Sequence, residues 1–131
     1  MNKIRGILKQ CVHSGQICRL EVQSGDFTFF VLLVEDFFAL EHYMNQEVWI
    51  FFKETNVVVA RNIEGISNTF FAKILSLESD LLFTRLFLEC QEAENGNISV
   101  LTTCEFGKGL EVGEILYWHI LESEIAFLGK C

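Results

Sequence analysis

The sequence predicts an all-β chain made of two copies of one small five-stranded barrel, each copy with one short helix. Three observations lead to this prediction. Half of the 131 residues are apolar, and 13 are Phe, so the chain can bury a core and is not disordered. Segments such as Cys18–Gln23 alternate apolar and polar side chains, which is the period of a half-buried strand. The pattern of the first part of the chain also returns in the second part.

The first copy begins with strands and one turn. After the alternating strand at Cys18–Gln23, the residues Ser24, Gly25 and Asp26 have turn chemistry. The segment Phe27–Val34 resumes as a strand. These residues predict a hairpin.

One helix and two further strands complete the copy. We expect the helix within Glu35–Tyr43, with Asp36 near its cap position and Phe37 and Leu40 on one face. Residues 44–47 turn the chain, and Asn45 there tolerates a positive φ, as does its counterpart Gly113. Strands are expected at Val48–Lys53 and at Asn56–Ala60, which are rich in β-branched and aromatic residues.

The internal repeat sets the domain organisation. Residues 2–8 fall on residues 68–74 at an offset of 66, and both read Asn, any, apolar, any, small, any, apolar. After the polar stretch 91–97 the offset becomes 68, which predicts a two-residue insertion at a hairpin tip. The predicted units are 1–63 and 66–131, joined by residues 61–65, and the second is the more divergent. Five strands and a helix in so few residues suit an OB-like barrel, and we expect pairing of units and of subunits to add burial.

Charge and hydropathy exclude several function classes. The net charge of -8 disfavours nucleic-acid binding, which needs a basic face. The longest apolar run, Phe29–Val34, is too short to enter a membrane. Residues 1–5 precede no apolar leader segment, so a cytoplasmic location is expected. The Phe-rich stretches are interpreted as core or subunit packing rather than base-stacking surfaces; their residues are Phe27, Phe29, Phe30, Phe37, Phe38, Phe51 and Phe52.

Cysteine and histidine spacing indicates neither a metal site nor an enzyme. The five cysteines are Cys11, Cys18, Cys90, Cys104 and Cys131, an odd number without a C-x-x-C motif. They are expected to be buried thiols in a reducing compartment. The spacing of Cys11, His13 and Cys18 matches no zinc pattern. There is also no set of nucleophile, base and orienting group and no Gly-rich phosphate loop, so we expect no catalysis and no organic cofactor.

Two motifs resemble the Mop, or TOBE, family of small oxyanion-binding β-barrels, which occur in molbindins and in molybdate transporters and regulators. Residues 2–8 are similar to the strand-one motif of that family. Residues 44–57, which run from Met44 through Lys53 and Thr55 to Val57, are similar to its apolar-Gly-x-x-Val…Ile-Lys-x-Thr-x-Val pattern. The resemblance covers nearly the whole chain and implies two tandem Mop/TOBE-type barrels.

The resemblance also implies a ligand and a set of binding residues. The family binds molybdate or tungstate between subunits, through a Ser-x-Arg-Asn stretch at the start of a unit, a Lys near its end and a Ser at the helix head of a neighbouring subunit. A tetrahedral dianion offers only acceptors, so N–H groups, hydroxyls and a cation must converge on it, without direct ligation of the metal by the protein. The implied oxyanion-binding residues here are Lys53, Asn2, Ser67 and Asn68. The alternatives are a solvated Lys53 or one paired with Glu54, and a plain turn at Ser67 and Asn68.

Several positions depart from the family pattern. No Ser or Arg precedes Asn2, and Gly65 and Ser67 occupy the Ser and Arg positions in the second unit. The helix-head Ser aligns with Asp36 and with Cys104, and Leu121 replaces the second lysine. A carboxylate about 4 Å from an oxyanion would repel it by roughly 4 kcal/mol at an effective dielectric of 20. The site survives if Asp36 instead caps its own helix.

Two functions follow from these patterns. The first is an intracellular molybdate- or tungstate-binding protein for storage, homeostasis or sensing, with sites at the subunit interfaces of a homo-oligomer, a dimer or a trimer. The second is a degenerate module without ligand that acts as an interaction or regulatory subunit of a molybdate or tungstate transport system. The retained Lys53 favours the first function, whereas Asp36 and Leu121 favour the second.

Overall fold

The fold consists of two five-stranded antiparallel sheets with two short helices. The structure is a computed structural model, and it describes residues 1–129, so Cys131 and the end of the predicted second unit lie outside the described residues. In the first part of the chain the strands are β1 (Asn2–Ser14), β2 (Ile17–Ser24), β3 (Phe27–Val34), β4 (Glu47–Phe52) and β5 (Val58–Ala60). In the second part they are β6 (Thr69–Ser79), β7 (Phe83–Glu89), β8 (Asn97–Thr103), β9 (Ile115–His119) and β10 (Ala126–Gly129). This arrangement is consistent with the predicted pair of small barrels.

Over the described residues, each part of the chain contains one helix and one single turn of 3₁₀ helix. The helices are α1 (Phe37–Glu41) and α2 (Cys104–Gly107), and the 3₁₀ turns are Glu54–Asn56 and Glu122–Glu124. The helix α1 is shorter than the predicted segment, but Asp36 caps it as expected. Asn45 has a φ of 61° and Gly113 a φ of 91°, so both turns use the left-handed region as predicted. Within residues 1–129, neither helix has the length and apolar character needed to cross a membrane.

The two sheets exchange their last strands. Their strand orders are β10-β4-β1-β2-β3 and β5-β9-β6-β7-β8. Val59 of β5 pairs with Trp118 of β9, and Leu128 of β10 pairs with Trp49 of β4. Each sheet therefore depends on the other part of the chain for one of its edge strands.

Strand register corrects the predicted alignment of the repeat. Leu20 pairs with Val31, and the equivalent pair in the second part is Leu86 and Val100. Leu86 lies 66 residues after Leu20, whereas Val100 lies 69 residues after Val31. The hairpin insertion is thus three residues rather than two, and the offset is 68, as predicted, from Asn45 and Gly113 onward through β4 and β9. The longer loop lies against β1, where the Glu94 backbone N–H donates to the carbonyl of Lys3 at 2.9 Å.

Large aromatic side chains fill the space between the two sheets. Trp118 is fully buried, and its ring centroid lies 5.0 Å from that of Phe70, 5.9 Å from that of Phe52 and 6.1 Å from that of Phe29. These rings come from strands of both parts of the chain, so the core couples the two sheets. Among the phenylalanines expected to pack in the core or between subunits, Phe38 is not part of the core, because its side chain is 70% exposed, and its packing between subunits stays a prediction.

Candidate functional site

Asn2 and Asn68, two of the predicted site residues, hold the two parts of the chain together. The Asn68 carboxamide accepts a hydrogen bond from the Phe30 N–H at 2.7 Å and donates one to the Phe30 carbonyl at 2.8 Å. Asn2 makes the same pair of bonds to Ser99, at 2.8 and 2.9 Å. Both side chains are buried. Their amide groups are therefore already engaged with the backbone of an edge strand.

Ser67 lies in an ion-pair network. Its hydroxyl donates to Glu122 Oε2 at 2.7 Å, and Arg19 binds both oxygens of the same carboxylate at 2.7 and 2.8 Å. The hydrogen bond from Arg19 lowers the pKa of the Glu122 carboxyl, although partial burial acts in the opposite direction. The neighbouring Leu121, which replaces the second lysine, is exposed. The second unit thus places a carboxylate and an apolar side chain where the resemblance implied an anion site.

Lys53 is the predicted site residue with an uncommitted polar group. It directly follows β4, its side chain is exposed, and it forms no ion pair within residues 1–129. Its neighbour Glu54 instead lies 3.3 Å from Arg85, so the alternative of a Lys53–Glu54 pair is not observed. The lysine lines a groove of about 230 Å³ together with Met1, Asn56, Ser123, Glu124 and residues 51–52 and 125–126.

The structure brings the four predicted residues together as two pairs. Asn2 pairs with Phe52 across β1 and β4, which places it one residue from Lys53. Ser67 and Asn68 lie at the equivalent end of β6, where the Ile120 N–H donates to the Asn68 carbonyl at 3.2 Å. Asn2 and Asn68 occupy equivalent positions in the two sheets and have separate partners, Ser99 and Phe30.

Asn56, Ser123 and Glu124 line the Lys53 groove but were not predicted from the sequence. Asn56 Nδ2 donates to Glu124 Oε2 at 3.1 Å, which links the two 3₁₀ turns. These two residues are 68 positions apart, so the repeat identified them as equivalents. Two residues at equivalent positions of a repeat need not be in contact, so the repeat does not predict this hydrogen bond.

The helix heads differ from the sequence alignment at one position. Asp36 Oδ1 accepts a hydrogen bond from the Phe38 N–H at 3.0 Å, so this carboxylate caps its own helix. In α2 the capping residue is Thr103, whose hydroxyl accepts from the Phe106 N–H at 3.3 Å. The predicted equivalent, Cys104, is the first residue of the helix instead.

The described cysteines are free thiols. They are Cys11, Cys18, Cys90 and Cys104, and within residues 1–129 no three metal-ligating side chains form a group that could hold a metal ion. Burial, together with the neighbouring Cys18, raises the pKa of the Cys11 thiol to about 11.

Comparison with solved structures identifies the fold. No family model and no curated protein sequence matches the chain. A crystal structure of the cytoplasmic molybdate-binding protein ModG with molybdate bound superposes with a TM-score of 0.84 over 98% of this chain and 96% of the ModG chain, at 14% identity. The chain has a Mop-like fold.

Proposed function

We propose that the protein binds a tetrahedral oxyanion, molybdate or tungstate, in the groove at Lys53. The proposal is carried by the uncommitted Lys53 ammonium in a fold that is similar over nearly its full length to that of molybdate-binding ModG. Lys53 supplies the positive charge. The Ser123 hydroxyl in the same groove is a further donor.

The groove is incomplete as an anion site within one chain. The Glu124 carboxylate lies in the same groove, although Asn56 donates to one of its oxygens. A dianion needs several converging donors. We therefore propose that a neighbouring subunit of a homo-oligomer, a dimer or a trimer, completes the site at a subunit interface.

The biological role and organisation follow from the same proposal. An intracellular, cytoplasmic binder of this kind serves storage, homeostasis or sensing of the anion. The chain is then a tandem Mop/TOBE protein with units 1–63 and 66–131. The second unit does not bind, because Ser67 donates to a carboxylate and Leu121 provides no charge.

The experiment that tests the proposal is calorimetric titration with molybdate, tungstate and sulfate. Molybdate and tungstate should release heat, and Lys53→Ala should weaken binding about 10- to 100-fold, since a charge-assisted hydrogen bond contributes roughly 1.5–3 kcal/mol. The matched control is Lys73→Ala, which removes another exposed lysine that forms no ion pair within residues 1–129. Equal affinities of the two variants, or no heat from any anion, would remove the basis for the proposal.

A second candidate function is an interaction or regulatory module that has lost its ligand. The observation in its favour is that Asn2, Ser67 and Asn68 all donate to groups of the chain itself. Such a module would act with a molybdate or tungstate transporter or regulator. Absence of anion binding by an intact oligomer favours this function.

A further inference from the structure

A second and larger groove lies at the head of α1, apart from the Lys53 groove. Its volume is about 510 Å³. The walls come from His13 at the end of β1, from Gly15 and Gln16 in the turn that follows, and from the segment Val34–Phe38. No Lys or Arg is among the lining residues.

Two aromatic rings form a corner of this groove. The Phe37 ring stacks on that of His13 with centroids 4.3 Å apart and an interplanar angle of 27°. The Phe38 ring meets that of Phe37 at 73° with centroids 5.7 Å apart. Phe38 is 70% exposed and Val34 is 73% exposed. Clustered exposed apolar side chains of this kind mark binding surfaces.

Two carboxylates stand beside the aromatic corner without a cationic partner. Glu35 Oε1 accepts from the Asp36 N–H at 3.0 Å, and Asp36 Oδ1 accepts from the Phe38 N–H at 3.0 Å. Each carboxylate thus accepts a backbone hydrogen bond through one oxygen and has its second oxygen available for a ligand. Within residues 1–129, neither carboxylate is in an ion pair. The groove therefore combines aromatic faces with unneutralised negative charge.

The repeat provides an internal comparison for this corner. Leu81 occupies the position of Gly15 at the offset of 66 found for the hairpins. Cys104 and Glu105 occupy the positions of Phe37 and Phe38 at the offset of 67 found for the helix caps. The second unit has no aromatic pair at these positions. Phe37 also packs against the hydrophobic core, whereas Phe38 is exposed, so Phe38 is the corner residue that folding does not explain.

We propose that this groove binds an organic ammonium ion, either a free quaternary ammonium compound or the side chain of a lysine. Aromatic faces attract such cations through their quadrupole, and the two carboxylates supply the counter-charge. Within one chain the two grooves share no lining residue, and their ligands have opposite charge, so titration with a cation and titration with an oxyanion test the two proposals separately.

Titration monitored by backbone amide resonances tests the proposal. Choline represents the free cation, and Nα-acetyl-lysine methylamide, which keeps its ε-ammonium group, represents the side-chain cation. The uncharged isostere of choline is 3,3-dimethylbutan-1-ol. We expect a cation to shift resonances of residues 34–38 and to bind more tightly than the isostere. The cation that binds with the higher affinity shows whether the groove takes a free quaternary ammonium compound or a lysine side chain. Equal binding of choline and its isostere, or no shift with either cation, overturns the proposal.

Variants separate the corner from general surface effects. Phe38→Ala should weaken cation binding about two- to fivefold, the range for an exposed cation–aromatic contact. Glu35→Gln keeps the acceptor oxygen for Asp36 but removes the charge, and it should also weaken binding. Phe71→Ala is the matched control, because Phe71 is 63% exposed on β6 and does not line the groove. Equal weakening by Phe71→Ala contradicts the assignment.

Discussion

The Asn68 side chain makes both hydrogen bonds that a neighbouring strand would make to Phe30. Phe30 lies on β3, which is an edge strand of its sheet. Asn2 makes the same two bonds to Ser99 on β8, the corresponding edge of the other sheet. Free edge N–H and C=O groups invite pairing with other chains. One carboxamide therefore covers part of the β3 edge and another covers part of the β8 edge, and each ties its edge strand to the other part of the chain.

Replacing Asn68 with Asp should destabilise the protein by about 3 kcal/mol. The change removes the Nδ2 donor to the Phe30 carbonyl and buries a charged group in its place. Urea unfolding measures the loss as a lower midpoint. Asn45→Asp is the control, since Asn45 also has a positive φ but its side chain is exposed. If both variants unfold at the same urea concentration, the carboxamide does not contribute as argued.

Glu122 should make stability depend on pH in the acid range. Because the hydrogen bond from Arg19 lowers its pKa in the folded state, its contribution is complete above the ordinary glutamate pKa. The contribution is then lost as the pH falls through the lowered folded value. Glu122→Gln should lose up to about 1 kcal/mol at neutral pH, a small figure because Arg19 is well exposed. The acid-side decline should also become shallower in this variant.

Urea unfolding midpoints of wild type and Glu122→Gln, measured from pH 2 to pH 7 in steps of about one pH unit, test this effect. Glu111→Gln is the control, because the Glu111 side chain is exposed and forms no ion pair within residues 1–129. An identical pH profile for wild type and Glu122→Gln argues against the ion pair as the source of the acid sensitivity.

Gly107→Ala should destabilise the second unit. Gly107 is buried at the end of α2, and a Cβ at this position would overlap the side chain of Thr84. Thr84 is itself fully buried and hydrogen-bonded to Ser79 at 2.8 Å, so it cannot move freely. Overpacking of this kind costs about 1–3 kcal/mol.

Gly109→Ala provides the comparison for the same measurement. The nearest atom to a Cβ at Gly109 is Arg61 Nη2 at 3.6 Å, which is an ordinary contact. Thermal unfolding should therefore show a lower midpoint for Gly107→Ala and little change for Gly109→Ala. A similar drop for both variants would count against the steric explanation.

Cys11 should resist alkylation in the native protein. Its pKa of about 11 leaves roughly one hundredth of the thiolate that an ordinary cysteine has at pH 8. Iodoacetamide treatment followed by peptide mass spectrometry should therefore label Cys11 slowly in buffer and rapidly in urea. Equal labelling rates under the two conditions would contradict the assignment of a half-buried, protonated thiol.

Local sequence patterns were sufficient to predict the strands β2, β3 and β4 and the short helix α1. Alternation gave β2, and Asp36 marked the start of α1, because both signals are carried by neighbouring residues. The size of the hairpin insertion was wrong because apolar residues match one another at several offsets. Only the register of Leu20 with Val31 and of Leu86 with Val100 resolves it.

The candidate site was less accessible to sequence reasoning than the fold. The resemblance pointed to Lys53, and this residue does lie in a groove with an uncommitted ammonium group. The resemblance could not reveal that the Asn2 and Asn68 amides bond to Ser99 and Phe30. Those partners contribute backbone atoms, and backbone atoms leave no residue-type signal. Ser67 is similar, since its partner Glu122 lies 55 positions away.

The exchange of β5 and β10 has a consequence for any chain that carries one unit only. Such a chain would end in a tail with no place on its own sheet, and its β4 or β9 would lack a neighbour on one side. Exchange of the terminal strands between two such molecules would fill that gap. In this chain both parts belong to one polypeptide, so each exchanged strand is always close to the sheet that it completes and no encounter between molecules is needed.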